Sequence, residues 1–203
     1  MCFCYQPNSF EHACHVVMSV KKLLKRVTAP KLTQEQLAKL TSSEHTDDLH
    51  CHLHEFTYGI NSEPLALIAM TFAALIHDVD HKGCSNAQLM VEDPEMVERY
   101  RGKSAAEQNS VDVGWEMFME DRFDRLRRCI FLNQNELKYF RQVVVNIVMA
   151  TDIFDKDLNA LRRERWSEAF SESNAFDSDL RATIVLEHVI QASDVSHTMQ
   201  VGF

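Results

Sequence analysis

Apolar residues recur at helical spacing along almost the whole chain. Val16, Val17, Val20, Leu23, Leu24 and Val27 fall on one face, with Lys21, Lys22, Lys25 and Arg26 mostly elsewhere, and Pro30 follows. That pattern predicts an amphipathic helix. A polar stretch from Thr41 to His54 reads as a loop. Pro64 then suits a first helical position, and Leu65 to Ile76 is apolar on every side, which predicts a central helix buried all round. It runs into the string HDVDHKG. Asp93-Pro94 marks the next helix start, and Ser104-x-x-Glu107 has the form of a capping box leading through Trp115, Phe118 and Met119. Asn133-x-x-Glu136 opens another helix, with Leu137, Phe140, Val144, Ile147 and Val148 on its buried side. A charged helix from about Asp155 to Phe170, a loop rich in Ser and Asn, and a last helix from about Ser178 to Asp194 complete the series. No repeat, low-complexity tract or long linker interrupts it, so residues 1–203 read as one all-α domain.

Composition narrows the picture further. A chain of 203 residues with 45% hydrophobic and 25% charged residues is an ordinary globular sequence with enough length for a single core. Its Gly 5 and Pro 4 compare with about 14 and about 10 at average usage, which disfavours the many turns of a β-sandwich or barrel. A formal charge of −9 excludes a general nucleic-acid backbone binder, though small anionic substrates remain open because a bound metal supplies local positive charge. The longest apolar run, Leu65 to Ile76, is too short to span a membrane, and the N-terminus lacks the pattern of a signal peptide. Cys2, Cys4, Cys14, Cys51, Cys84 and Cys129 show no disulfide spacing, which suits a reducing compartment and a cytoplasmic location.

Candidate chemistry gathers at the helix ends. His77-Asp78 at the end of a buried helix reads either as a metal-ligand pair, with Asp78 able to bridge to a second ion, or as a solvated polar tail. Asp80 and His81 follow at once, giving four candidate groups in five residues. His12 and His15 share roughly one face of the first helix, and Asp194 closes the strongly apolar last one, where an acid is buried only if paired or metal-bound. The order His12, His77-Asp78, Asp194 is the H…HD…D pattern of HD-type metallo-phosphohydrolases. Other candidates are weaker. Cys2-x-Cys4 with His12-x-x-His15 has too short a gap for a zinc finger. The histidines of His50-Cys51-His52-Leu53-His54 read as solvent-facing, and RRERW at 162–166 as a solvated helix face interleaved with acids. Neither a Gly-rich phosphate loop nor a GxSxG elbow is present.

The segments SFEHACHVVMSV, ALIHDVDHKGCSNAQL, KSAAEQNSV, NIVMATDIFDK and IQASDVSHTMQ together resemble the catalytic domain of class I 3′,5′-cyclic-nucleotide phosphodiesterases, nearest to protist members, over about Ser9 to Gln200. The resemblance implies a multi-helix HD-domain bundle, incomplete at its C-terminal end. It implies that His12, His77, Asp78 and Asp194 hold a zinc ion, and that Asp78 bridges to a second divalent ion, magnesium or manganese. His81 would face the substrate phosphate, Glu107 would orient water on the second metal, and Asp152 would line the pocket. The implied reaction is hydrolysis of the 3′ ester of cyclic AMP or cyclic GMP to the 5′-monophosphate in signal transduction. The rivals are a metal-bound but inactive pseudoenzyme or regulatory fragment, and another HD-type nucleotide phosphohydrolase.

This sequence also departs from the family pattern. The histidine expected to protonate the leaving oxygen is replaced by Asn8, with Ser9 after it, a loss worth about 10²–10⁴ in rate. His15 stands where Asp is usual, and Asn109 and Ser110 replace a double His. The invariant Gln and the aromatic purine clamp expected beyond Asp194 are not reached before Phe203. The chain is therefore expected to be a partial catalytic domain, with its metal-site core at about 9–200 and truncated at the C-terminus and the N-terminus. It is expected to belong to a larger multidomain protein, in the cytoplasm or as the cytosolic part of a membrane protein.

Overall fold

The computed structural model describes residues 10–28, 57–60, 63–171 and 178–196. Among them every regular element is helical: α1 (Phe10–Thr28), α2 (Pro64–Ile76), α3 (Asn86–Glu92), α4 (Pro94–Arg99), α5 (Ala105–Met119), a 3-10 turn (Asp121–Phe123), α6 (Asp124–Ile130), α7 (Gln134–Met149), α8 (Lys156–Ala169) and α9 (Ser178–Ser196). The all-α class expected from the periodicity is the one found. The predicted loop at Thr41 to His54, the Ser- and Asn-rich stretch after Ser171, and Cys2, Cys4, Asn8 and Ser9 lie outside the described residues.

Helix α2 is the axis of the bundle, packed against α1, α5, α7 and α9. Its alanines explain how so many neighbours reach it. Ala66, Ala69, Ala73 and Ala74 are buried beside Met70 and Ile76, and side chains this small let adjacent helices approach closely. The expectation that α2 is buried all round is corrected. Ile68 and Leu75 are 41% and 43% exposed, and Pro64 and Thr71 share their stripe. Among the described residues, its neighbours leave that one face uncovered.

Around α2 the core is filled by Val16, Val20 and Leu24 of α1, Val144, Ile147 and Val148 of α7, and Leu186, Val189 and Ile190 of α9. At one side lies an aromatic cluster. Phe140 is fully buried, with ring centroids 5.0 Å from Phe131, 5.7 Å from Phe72 and 6.0 Å from Phe118. These spacings suit the edge and tilted geometries that aromatic pairs prefer.

The helix starts follow the predicted capping chemistry in most places. Asp93 caps α4 by accepting from the Met96 amide, and Asn133 caps α7 by accepting from Asn135 and Glu136. Glu136 returns a bond by accepting from the Leu132 amide at 2.8 Å. Two short helices, α3 and α6, escaped the periodicity because neither is long enough to display a full apolar face. The reading of RRERW as a solvated face is corrected in part. Arg162 donates to the carbonyls of Asp152 and Met149, and Arg165 pairs with buried Glu187 at 2.9 Å. Those arginines clasp α8 to its neighbours, while Arg163 and Glu164 remain exposed.

Gly114 marks the closest approach of α5 to α2. A Cβ placed there would lie 2.8–3.0 Å from side-chain atoms of Ile76, the residue just before His77. Gly114→Ala is expected to destabilise the chain by about 1–2 kcal/mol in urea unfolding, the overpacking outweighing the gain in helix propensity. Combining it with Ile76→Ala should cost less than the two single losses summed, because alanine at 76 removes two of the three close atoms, Cδ1 and Cγ2, and keeps only Cβ.

Candidate metal centre

Three helices deliver the site. His12 lies in the first turn of α1, His77 caps the C-terminus of α2, and Asp194 lies near the C-terminus of α9. Two helix C-termini and one helix N-terminus thus meet at one spot. The donor atoms converge there. His12 Nε2 lies 3.1 Å from Asp194 Oδ1 and 3.6 Å from Asp78 Oδ2, while His77 Nε2 lies 3.5 Å from Asp78 Oδ2 and 3.6 Å from Asp194 Oδ1. One ligand atom each from His12, His77 and Asp194 falls within 4.8 Å of the others.

The tautomer of His77 is set by the backbone. Its Nδ1 donates to the Ala74 carbonyl at 3.0 Å, so in the neutral ring Nε2 carries the lone pair. That Nε2 is fully buried and makes no hydrogen bond among the described residues. A buried imidazole nitrogen facing two carboxylates is a donor set suited to a divalent cation. Burial pulls the His77 pKa down, but Asp194 and Asp78 outweigh it and raise the ring above its ordinary 6.5. Asp194 shifts the opposite way. Burial works to raise it, but the His12 hydrogen bond and the two imidazole rings beside it hold it well below the usual carboxylate range.

The remaining predicted residues form a second group beside this one. Glu107 is buried on the first turn of α5 and accepts from Asn86 Nδ2 at 2.8 Å. The same amide donates to Asp152 Oδ2 at 3.2 Å, and Asn86 Oδ1 accepts from the Ala106 amide. Asp152 is saturated: Oδ2 also accepts from Ser104 Oγ at 2.7 Å, and Oδ1 accepts from the amides of Phe154 and Asp155. The capping box predicted for Ser104 and Glu107 is therefore corrected. Ser104 has φ of +41° and makes no cap bond, because both side chains are spent on this network instead. His81 Nδ1 accepts from the Gly83 amide at 3.0 Å, and Asp80 turns toward Asn109. His15, one turn beyond His12, is half-buried and stands outside the three-residue ligand group.

Of the members of this network, Asn86 carried no role in the sequence reading, and Ser104 carried only that of a helix cap. Asn86 sits within the HDVDHKGCSN string, immediately after the Ser85 that caps α3. A polar side chain at a helix start is readily taken for local capping, which hides its reach across to another helix.

Residues 9–201 match the profile of the 3′5′-cyclic nucleotide phosphodiesterase family. The chain belongs to that family. Over 89 residues, 44% of its length, it is 32% identical to the probable 3′,5′-cyclic-AMP phosphodiesterase pde-4 of Caenorhabditis elegans. Over 105 residues, 50% of its length, it is 30% identical to the cGMP-inhibited 3′,5′-cyclic phosphodiesterase 3A of Rattus norvegicus. These stretches are 13% and 9% of the two relatives, so the chain spans a small part of either. Among solved structures, the phosphodiesterase domain of the Salpingoeca rosetta rhodopsin phosphodiesterase superposes with a TM-score of 0.64 at 21% identity, over 96% of this chain and 50% of that one. The phosphodiesterase domain of the RhoPDE fusion protein from the same choanoflagellate gives 0.53 at 18% identity, over 95% and 68%. Both likenesses are to the all-helical fold. The family is metal-dependent, and the His/Asp cluster has the donors to bind a cation. Among the described residues no helix is long and apolar enough to cross a membrane.

Burial pushes the Glu107 carboxyl above its ordinary 4.5, opposed by the Asn86 hydrogen bond and reinforced by the charge of Asp152. The unfolded chain therefore ionises this group first, and in metal-free protein it withdraws stability as pH rises above about 4.5. Glu107→Gln is expected to be more stable than wild type at pH 7 in chelator, with the difference vanishing below about pH 4.5. Thermal melts across that range check it.

Proposed function

We propose that this chain carries the metal-holding part of a 3′,5′-cyclic-nucleotide phosphodiesterase catalytic domain, and that its reaction is hydrolysis of the 3′ ester of cyclic AMP or cyclic GMP. The observation that supports it most is the meeting of His12, His77, Asp78 and Asp194 around the hydrogen-bond-free Nε2 of His77. In this reading those four would hold a zinc ion, and Asp78 would also serve a second ion, magnesium or manganese. When bound, such a pair supplies Lewis acidity at the phosphoryl oxygens and lowers the pKa of water between the two ions.

The chain's own side chains supply the rest. His81 accepts the Gly83 amide at Nδ1, so its neutral ring presents Nε2–H as a donor for a phosphate oxygen. Glu107, held by Asn86, is the acceptor that orients the attacking water. Asp152, tied by four donors, shapes the wall next to it. In the sequence Asn8 stands where the family resemblance expects the general-acid histidine, and an amide has no proton to give as an acid, which in this reading slows protonation of the leaving oxygen. The rhodopsin phosphodiesterase neighbour supports a place in a larger multidomain protein, and the scattered cysteines support a cytoplasmic placement of this part.

The chain loaded with zinc and magnesium is expected to hydrolyse a cyclic nucleotide, with His77→Ala lowering the rate by more than about 10²-fold. Equal rates would sink the proposal. Bound metal without turnover, persisting in Asn8→His, would assign the chain to an inactive, regulatory role. Zinc at about 100 times its Kd should also add about 2.7 kcal/mol of stability, an effect that Asp194→Asn should largely remove.

A further inference from the structure

Helix α5 meets the ligand-bearing turn through two polar side chains that the metal chemistry does not use. Asn109 Nδ2 donates to Asp80 Oδ2 at 3.0 Å, and Ser110 Oγ donates to the Val79 carbonyl at 2.8 Å. Asn109 is 6% exposed and Ser110 fully buried, so each must find a partner within the protein. They find theirs on consecutive residues of the HDVDH string.

That string needs holding. Its backbone reverses through two tight turns, with the Val79 amide bonded to the Ile76 carbonyl and the His81 amide to the Asp78 carbonyl. Between them Asp80 has φ of +58°, a left-handed conformation that Asp adopts more readily than most residues with a Cβ and that a side-chain hydrogen bond helps to fix. His81 comes next in the chain, its ring fixed from the far side by the Gly83 amide. Asn109 lies two residues beyond Glu107 on α5, so the clamp and that carboxylate ride on one rigid element.

We propose that Asn109 is a positioning residue which, through Asp80, holds the HDVDH turn so that His81 presents Nε2–H beside Glu107. What His81 meets rests on the phosphodiesterase reading; the clamp does not.

The test is histidine-¹⁵N NMR of the full chain, with His81→Gln assigning the resonance, alongside steady-state kinetics. Wild type is expected to show His81 as the single Nε2–H tautomer. Asn109→Leu should mix the tautomers, and Asn109→Ser, too short to reach Asp80, should do the same if leucine hinders folding. Asp80→Asn should keep the wild-type signature, because its amide oxygen accepts the same bond and Asn tolerates the left-handed backbone. In turnover Asn109→Leu should lower kcat by about 10- to 100-fold, with KM changed less than about threefold and metal content unchanged. A wild-type His81 signal in both Asn109 variants overturns the clamp whether or not the chain turns over. A shifted signal combined with equal hydrolysis by wild type and His77→Ala keeps the clamp and removes the enzyme reading.

Discussion

Two buried imidazoles and two carboxylates packed within a few ångströms need a compensating charge, and the bundle is arranged around that requirement. Either protons on the rings or a cation between the donors can meet it. The Ala74 carbonyl engages one nitrogen of His77 and leaves the other aimed into the group. Opposite shifts of His77 and Asp194 are the electrostatic signature of that crowding. Donors drawn from α1, α2 and α9 also mean that binding an ion there would cross-link three helices of the core.

Much of this was legible in the amino-acid order. Periodicity located the long helices because each buries one face, and the H…HD…D order picked out His12, His77, Asp78 and Asp194 because ionisable groups at apolar helix ends need partners. Side chains with two plausible duties were harder. Ser104 and Glu107 have capping-box spacing, yet the competing partners are Asp152 and Asn86, from distant parts of the chain. Local spacing cannot register a bond across 48 residues. Arg162 and Arg165 show the same limit, since a charged helix looks solvated until the carbonyls and the carboxylate it clasps are seen.

The polar network differs in kind from the ion cluster. It is built from neutral amides and hydroxyls donating to carboxylates, Asn86 and Ser104 on one side and Asn109 on the other. These donors do not titrate, so a change of charge in the neighbouring cluster leaves the donors themselves unaltered. A bundle that must tolerate loading and unloading of charge gains from fixing its reacting groups with donors of that sort.

The uncovered stripe of α2 has a mechanical meaning. Ile68, Thr71 and Leu75 face water on the helix whose last turn supports His77. Clasped on its other faces, the helix has on this flank, among the described residues, no packed neighbour to resist a small sideways displacement. The stiffness of the His77 imidazole's mounting is therefore lopsided, firm toward the core and yielding toward the bare row of hydrocarbon.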